Sequence, residues 1–444
     1  MTLLDHRGHR VSGANANAVD AFEQAQRELL CFIDDPVASV DRAISEAPEM
    51  PMAHVLKAWL HLLGTEPAGR AVAEDCNRAA AALPADERER AHVAASQALT
   101  AGRWQEAAMR LEDLSARWPR DLLALQVGHQ LDFFRGDSRM LRDRIARALP
   151  AWDHGIPGYH AVLGMHAFGL EETADYAQAE AQGRRAVELE PRDGWAWHAV
   201  AHVAEMRNAP RDGIAWLRPH RDTWSTGSFF VVHNTWNLAL FELELDGHDE
   251  ALRLYDETIA GGGMPQVVDL IDASAMLWRL HLRGVDVGGR WQAVADRWSQ
   301  ALADGGAGQY AFNDMHAMLA YVGAGRDADQ LALLDSMQAA IEKDDDNAGF
   351  TRDVGLPATQ AIRAFAQGEA AQAVRLLRPL RSRAHRFGGS HAQRDLIDLT
   401  LLASAERASD AALAAALAAE RLAMRPTSPA AQRLAGRFRV PGAA

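Results

Sequence analysis

Two imidazoles and a carboxylate recur at helical spacing in the run Trp195–Met206. His198, His202 and Glu205 stand at i, i+4 and i+7. At about 100° per residue these positions fall within about 60° of one another on a helix. One face then presents two ring nitrogen pairs and an acid among Ala and Val. Such a face can hold a divalent metal or relay protons. It is not a His-Glu-x-x-His arrangement, so no metalloprotease follows. The competing reading is structural. Core histidines bond to neighbouring helices, and Glu205 pairs with an arginine.

Polar residues continue along the chain in the same register. His233, Asn234, Trp236 and Asn237 come next. Asp269 and Asp272 follow one turn apart, with Arg279 two turns on, and then Asn313, Asp314 and His316. Arg352 and Asp353 precede a last group, Gly388–Asp395, with Gln393, Arg394 and Asp395. Each group has a plain explanation, since an Asp near a helix start caps it and Gly388–Gly389 reads as a turn. As a series they fall at matching ends of successive repeats and converge on one groove. His202 is then the acid–base residue, oriented by Glu205 or Asp272. His198, His202 and His233 form a ligand set for a divalent metal. Asn234, Trp236, Asn313, Arg352, Arg394 and Asp395 would hold a small polar or anionic molecule, a guanidinium fork matching a carboxylate.

The elements that position these residues repeat. Gly102–Ala108, Asp175–Glu180, Gly247–Leu252 and Gly368–Val374 each begin with a small or polar turn and continue with Ala at helical spacing. Weaker copies begin at Gly136, Arg211 and Gly325. The spacing of about 33 to 42 residues brackets the 34-residue tetratricopeptide period. Glu188–Trp195 and Trp118–Leu123 each close one helix with a proline and open the next. The expected fold is all-α, a right-handed superhelix of about ten to twelve stacked antiparallel helix pairs. The first helices, which line its concave face, are expected near 51–63, 121–135, 158–172, 195–207, 231–245, 266–283, 310–323, 356–367 and 390–404. Residues 1–17 form an N-terminal segment, 18–424 a continuous solenoid, and 425–444 an irregular tail. Residues 344–355 read as a loop, with no sheet and no linker between domains.

Composition narrows the function classes. The 444 residues are 48% hydrophobic and 24% charged, with a net charge of -14. An acidic chain is a poor partner for nucleic acid or an anionic membrane. No apolar stretch reaches the roughly 20 residues of a membrane span, and no signal peptide opens the chain. The two cysteines, Cys31 and Cys76, have no metal or redox spacing, and Cys31 reads as a buried small hydrophobe. A reducing, cytoplasmic location follows. Gly-x-Ser-x-Gly and phosphate-loop patterns are absent. The 12 Trp residues read mostly as core.

The runs quoted above, with Gly169–Thr173, Met276–Leu280 and Val285–Gln292, resemble the tetratricopeptide repeat protein 38 family. The likeness spans roughly residues 18 to 435. Position by position, the resemblance implies a family pattern of His54, His92, His129, His198, His202, Glu205, His233, Asn234, Asp269, Asp272, Asn313, Asp314, His316, Arg352, Asp353, Gln393, Arg394 and Asp395. Asn237 departs from it, since the pattern has His there, which weakens a metal role. The resemblance implies a repeat fold and supplies no reaction.

Two functions compete. One is an enzyme or small-molecule binder with its site in the groove, of acid–base or metal-assisted hydrolase type. The concentration of ionisable groups against Trp and Ala favours it, because burying them is costly unless they are used or paired. The other is a non-catalytic scaffold for a peptide or partner protein, the usual role of this repeat class; a homo-oligomer is compatible with either.

Overall fold

In the computed structural model, residues 3–438 are described. Helix follows helix in consecutive pairs. Pro51–Leu63 is joined to Gly69–Ala82, Glu87–Thr100 to Trp104–Arg117, Leu122–Phe134 to Ser138–Ala148, and Tyr159–Glu172 to Tyr176–Leu189. The same unit recurs as Val267–Leu282 with Arg290–Ala301, Ala311–Gly323 with Asp327–Ala340, Leu356–Ala366 with Ala370–Leu377, and His391–Arg407 with Ala411–Met424. Short connections make the members of a pair antiparallel neighbours.

A local device makes the pairs. The first helix ends in a residue with positive φ, which is Gly102 (φ 78°) or Gly136 (φ 68°) in two pairs and Ala174 (φ 66°) or Asp246 (φ 63°) in others. The next backbone N–H then bonds back across the helix end, as in Arg103 N to Ala98 O at 2.9 Å and Asp137 N to Asp132 O at 2.8 Å. An Asp often starts the following element: Asp137 accepts from Met140 N and Asp121 from Ala124 N. This αL turn is the small-residue signal that repeats in the sequence. The fold is a tetratricopeptide-type helical repeat.

The chain divides into two compact units, Met1–Val203 with His220–Asn234, and Ala204–Pro219 with Thr235–Ala444. The division coincides with no linker, since it falls inside the helices Gly194–Met206 and Val231–Glu244. In the first unit, Leu122, Ile145, Val162, Phe168 and Trp195 share one core with Leu30, Phe32 and Phe230. The first helix of the chain therefore meets residues near position 230. Ile33 and Ser228 form a β-bridge there.

In the second unit the chain also returns on itself. Thr427 Oγ1 accepts from Asn208 Nδ2 at 3.0 Å, Ser428 Oγ donates to Glu244, and Arg433 pairs with Asp246 at 2.5 Å. The helices Val267–Leu282 and His391–Arg407 pack together, with Trp278 Nε1 donating to Thr400 Oγ1 at 2.9 Å. Phe365, from the helix Leu356–Ala366, meets Trp278 with its ring 5.7 Å away.

Three sequence expectations are corrected. Residues 344–355 are not a loop: Asp346–Phe350 is helical and continues through the wide turn Thr351–Gly355 into Leu356–Ala366. Asp345 caps it, and Gly355 is demanded by packing, since a Cβ there would meet Ala311 Cβ at 2.7 Å. The tail expected to be irregular contains the helix Pro429–Arg437, capped by Ser428. Leu3–Leu4 and Arg10–Val11 form a small antiparallel hairpin where no strand was expected. The end of the tail lies outside the described residues. Among the described residues no helix is long and apolar enough to cross a membrane.

Candidate functional site

In the first unit three histidines gather. His198 and His202 come from the helix Gly194–Met206, and His233 from Val231–Glu244. All three are buried, and one ring nitrogen from each lies within 4.8 Å of the others. His198 lies 4.3 Å from His202 and 4.5 Å from His233, centroid to centroid. Aromatic rings enclose them. Phe168 stacks on His198 at 5.8 Å, and Phe230 meets the same ring edge-on at 5.2 Å. Burial, reinforced by His202 and His233 beside it, holds His198 well below the usual imidazole range, while a hydrogen bond to Asn234 opposes the shift. Asn234 also donates to Gly194 O at 3.2 Å.

The acid beside His202 is one that sequence reasoning missed. Glu171 Oε2 lies 3.4 Å from His202 Nδ1, and both side chains are fully buried. Glu171, Glu172 and His202 also place ligand atoms within 4.8 Å of one another. The signal was available in the pair Glu171–Glu172 at the end of an otherwise apolar helix, but it lies about 30 residues upstream. Glu205, one of the two carboxylates expected to orient His202, pairs with Arg425 at 2.8 Å. This is the structural alternative that the sequence offered for Glu205.

Nearby in the same unit, burial and the positive charge of Arg144 push His129 down to about 3. His129 meets the rings of Phe168 and Trp195 edge-on at 6.0 and 5.9 Å. His92 shares an Asp121 oxygen with Arg88, at 2.9 and 2.7 Å. Burial would raise the Asp121 carboxyl, yet His92 and Arg88 hold it well below the usual range. Arg88 and Asp121 thus form a buried ion pair, and His92 hydrogen-bonds the same carboxylate.

Of the expected binding residues in the second unit, Trp236, Asn313 and Arg394 are buried, Asp395 is partly exposed and Arg352 is exposed. Asp395 receives both arms of Arg421, at 2.7 and 2.9 Å. Burial opposes its charge, but Arg421 and Arg425 keep its carboxyl below the carboxylate range. Arg394 donates to Gly389 O and reaches His391 Nδ1 at 3.2 Å, bracing its own helix start. Trp236 is fully buried beneath Arg279, whose guanidinium is 5.4 Å from the ring and donates to Ala392 O at 2.6 Å. Burial lowers that guanidinium to about 10. Asp272 and Asn313 are buried within their helices. Arg352 is exposed and donates to Ile341 O at 2.7 Å. Asp314 accepts from Gly308 N at 3.0 Å, and burial pushes its carboxyl up to about 7. His316 donates Nδ1–H to Phe312 O at 2.8 Å, and burial takes it down to about 4.

No family model matches the chain. The structure is similar to solved helical-repeat proteins at low identity. The human IFIT1 dimer with m7Gppp-AAAA is 12% identical over 94% of this chain and 94% of that one, with a TM-score of 0.41. A monomeric IFIT1 mutant with Gppp-AAAA is 12% identical over 96% of both chains, with a TM-score of 0.42. The P58(IPK) TPR domain is 13% identical over 89% of this chain and 99% of that one, with a TM-score of 0.20.

Proposed function

We propose that the chain is a non-catalytic helical-repeat scaffold that holds a peptide or partner protein. The fate of its acids carries this reading. A general base must offer a lone pair at the working pH. Glu205 and Asp395 instead face arginines at 2.8 and 2.7 Å. A carboxylate neutralised in this way holds helices together and is a poor base. The test sets the purified chain against a panel of ester, amide and phosphoester substrates with added Zn²⁺, Mn²⁺ or Mg²⁺, and against an array of peptides. The scaffold reading expects saturable peptide binding and no turnover. Turnover abolished by His202→Ala in a folded variant would overturn it.

The convergence of His198, His202 and His233 favours a second reading. Three imidazoles with Glu171 behind one of them suit a divalent metal. Such a centre would bind a small polar or anionic molecule and support metal-assisted hydrolysis. Its test is metal content: about one equivalent retained through chelator-free purification and lost in His198→Ala supports it. The resemblance to the tetratricopeptide repeat protein 38 family and a cytoplasmic location belong to the same proposal. Two free, buried cysteines support the location.

A further inference from the structure

A second group of potential ligands lies in the first unit, apart from the histidine cluster. Cys31 is the last residue of the helix Ala16–Cys31, His160 lies in the first turn of Tyr159–Glu172, and Glu190 caps the end of Tyr176–Leu189. The Cys31 sulfur, one ring nitrogen of His160 and one Glu190 oxygen all lie within 4.8 Å of one another. Several contacts hold these distant segments together. Phe32 stacks on Trp195 at 5.6 Å, Arg192 reaches Asp34 at 2.8 Å, and Arg27 reaches Glu190 at 2.7 Å.

The residues behind the three are arranged as a ligand set requires. Asp193 Oδ2 lies 2.7 Å from His160 Nδ1, and Asp193 Oδ1 accepts from Ala196 N at 2.9 Å. The carboxylate is fixed at the start of the helix Gly194–Met206 and holds Nδ1–H, which leaves Nε2 with the lone pair. Glu190 is steadied in the same manner, by Arg27 on one oxygen and the Arg192 backbone N–H at 3.2 Å on the other. Cys31 is fully buried, while His160 and Glu190 are partly exposed. The His160 and Glu190 side of the cluster therefore faces solvent in part.

We propose that Cys31, His160 and Glu190 form a binding site for a divalent transition metal of the zinc class, with Asp193 positioning His160 and water completing the coordination. The donor set selects the ion. Sulfur and imidazole suit Zn²⁺, whereas Mg²⁺ and Ca²⁺ take oxygen ligands. On binding, the thiol proton passes to solvent, the sulfur lone pair forms the metal–sulfur bond, and one metal-bound water leaves for each protein ligand gained. No oxidant or reductant takes part. The ion would join the first helix of the chain to segments far along it, so that binding adds to the stability of the first unit.

Cobalt tests the site, because a thiolate ligand gives Co²⁺ a charge-transfer absorption that imidazoles and carboxylates do not. The metal-free full chain is titrated with Co²⁺, and melting is followed with and without Zn²⁺. The expected result is a thiolate band saturating at about one equivalent. It disappears in Cys31→Ser and His160→Ala and persists in Cys76→Ser and His202→Ala. Zn²⁺ raises the Tm of the wild type but not of Cys31→Ser. Persistence in His202→Ala makes the result independent of the histidine cluster. If Cys31→Ser fails to fold, Glu190→Gln keeps the side-chain size and is expected to weaken Co²⁺ binding at least about tenfold. No thiolate band in the folded wild type, a band that follows Cys76, or unchanged affinity in both His160→Ala and Glu190→Gln would overturn the proposal.

Discussion

Glu205 Oε1 lies 2.8 Å from the Arg425 guanidinium across 220 residues of sequence, and both side chains are partly buried. Arg425 is held fully charged: burial opposes its charge, but Glu205 and Asp395 outweigh it. The neighbouring bond between Asn208 and Thr427 ties the same two segments. These contacts join the segment around 425–428 to the helix end around 205–208 within the second unit. They also give Glu205 an arginine partner that lies half the chain away in sequence.

Asp395 makes stability depend on acid. Its carboxyl is depressed in the folded state, so its contribution is present above an unfolded value of about 3.9 and is lost as pH falls through the folded one. Asp395→Asn should lower the Tm at pH 7 and leave a shallower loss of stability between about pH 4 and pH 2. Thermal melts across that range check both effects.

Asp314 has the opposite sign. Burial raises its carboxyl to about 7, so the folded state prefers the protonated form. Stability is fully present below about pH 3.9 and is lost as pH rises through 7. Asp314→Asn keeps an oxygen for Gly308 N and cannot ionise. It should stabilise the protein by roughly 1–3 kcal/mol at pH 8 and by almost nothing at pH 4. Urea unfolding at the two pH values makes the comparison.

In the first unit, His129 and His198 are both kept neutral by burial. The unfolded chain takes up their protons below about pH 6.5 and the folded unit does not. Stability is therefore complete above that value and falls as pH drops, by about 1.4 kcal/mol per pH unit for each histidine. His129→Phe should remove one histidine's share of that slope. A slope unchanged in the variant would show that His129 takes up its proton in the folded state as well.

Close helix packing predicts a steric effect as well. A Cβ at Gly169 would stand 2.5 Å from the backbone of Leu141 and Arg142. Gly169→Ala should force the helices Tyr159–Glu172 and Ser138–Ala148 apart and cost about 1–3 kcal/mol. Urea unfolding measures the loss, and stability equal to the wild type would show that the two helices can separate freely.

Much of this fold was readable because its signal is local. The helices expected near 51–63, 231–245 and 310–323 are Pro51–Leu63, Val231–Glu244 and Ala311–Gly323. The C-terminal boundary of each follows from a residue of positive φ just beyond it, Thr65, Asp246 or Gly325. The segment 344–355 was misread because Asp and Gly signal a turn in isolation, while Gly355 answers to Ala311 on another helix. The histidines could be grouped from their spacing, since His198 and His202 share a helix face. Glu171 beside His202 and Arg425 beside Glu205 could not, because helical periodicity carries no information about partners a helix pair or half a chain away. Cys31, His160 and Glu190 were likewise invisible as a group.

The central claim is that the paired acids hold the array together and do no chemistry. Equilibrium urea unfolding of Glu205→Gln, Arg425→Gln and the double variant at pH 7 tests it most directly. Each single change leaves a partly buried charge without its partner and should cost about 1–3 kcal/mol, with the double variant losing clearly less than the sum. Single variants that unfold like the wild type, with additive effects in the double, would contradict it and return Glu205 to the list of candidate catalytic acids.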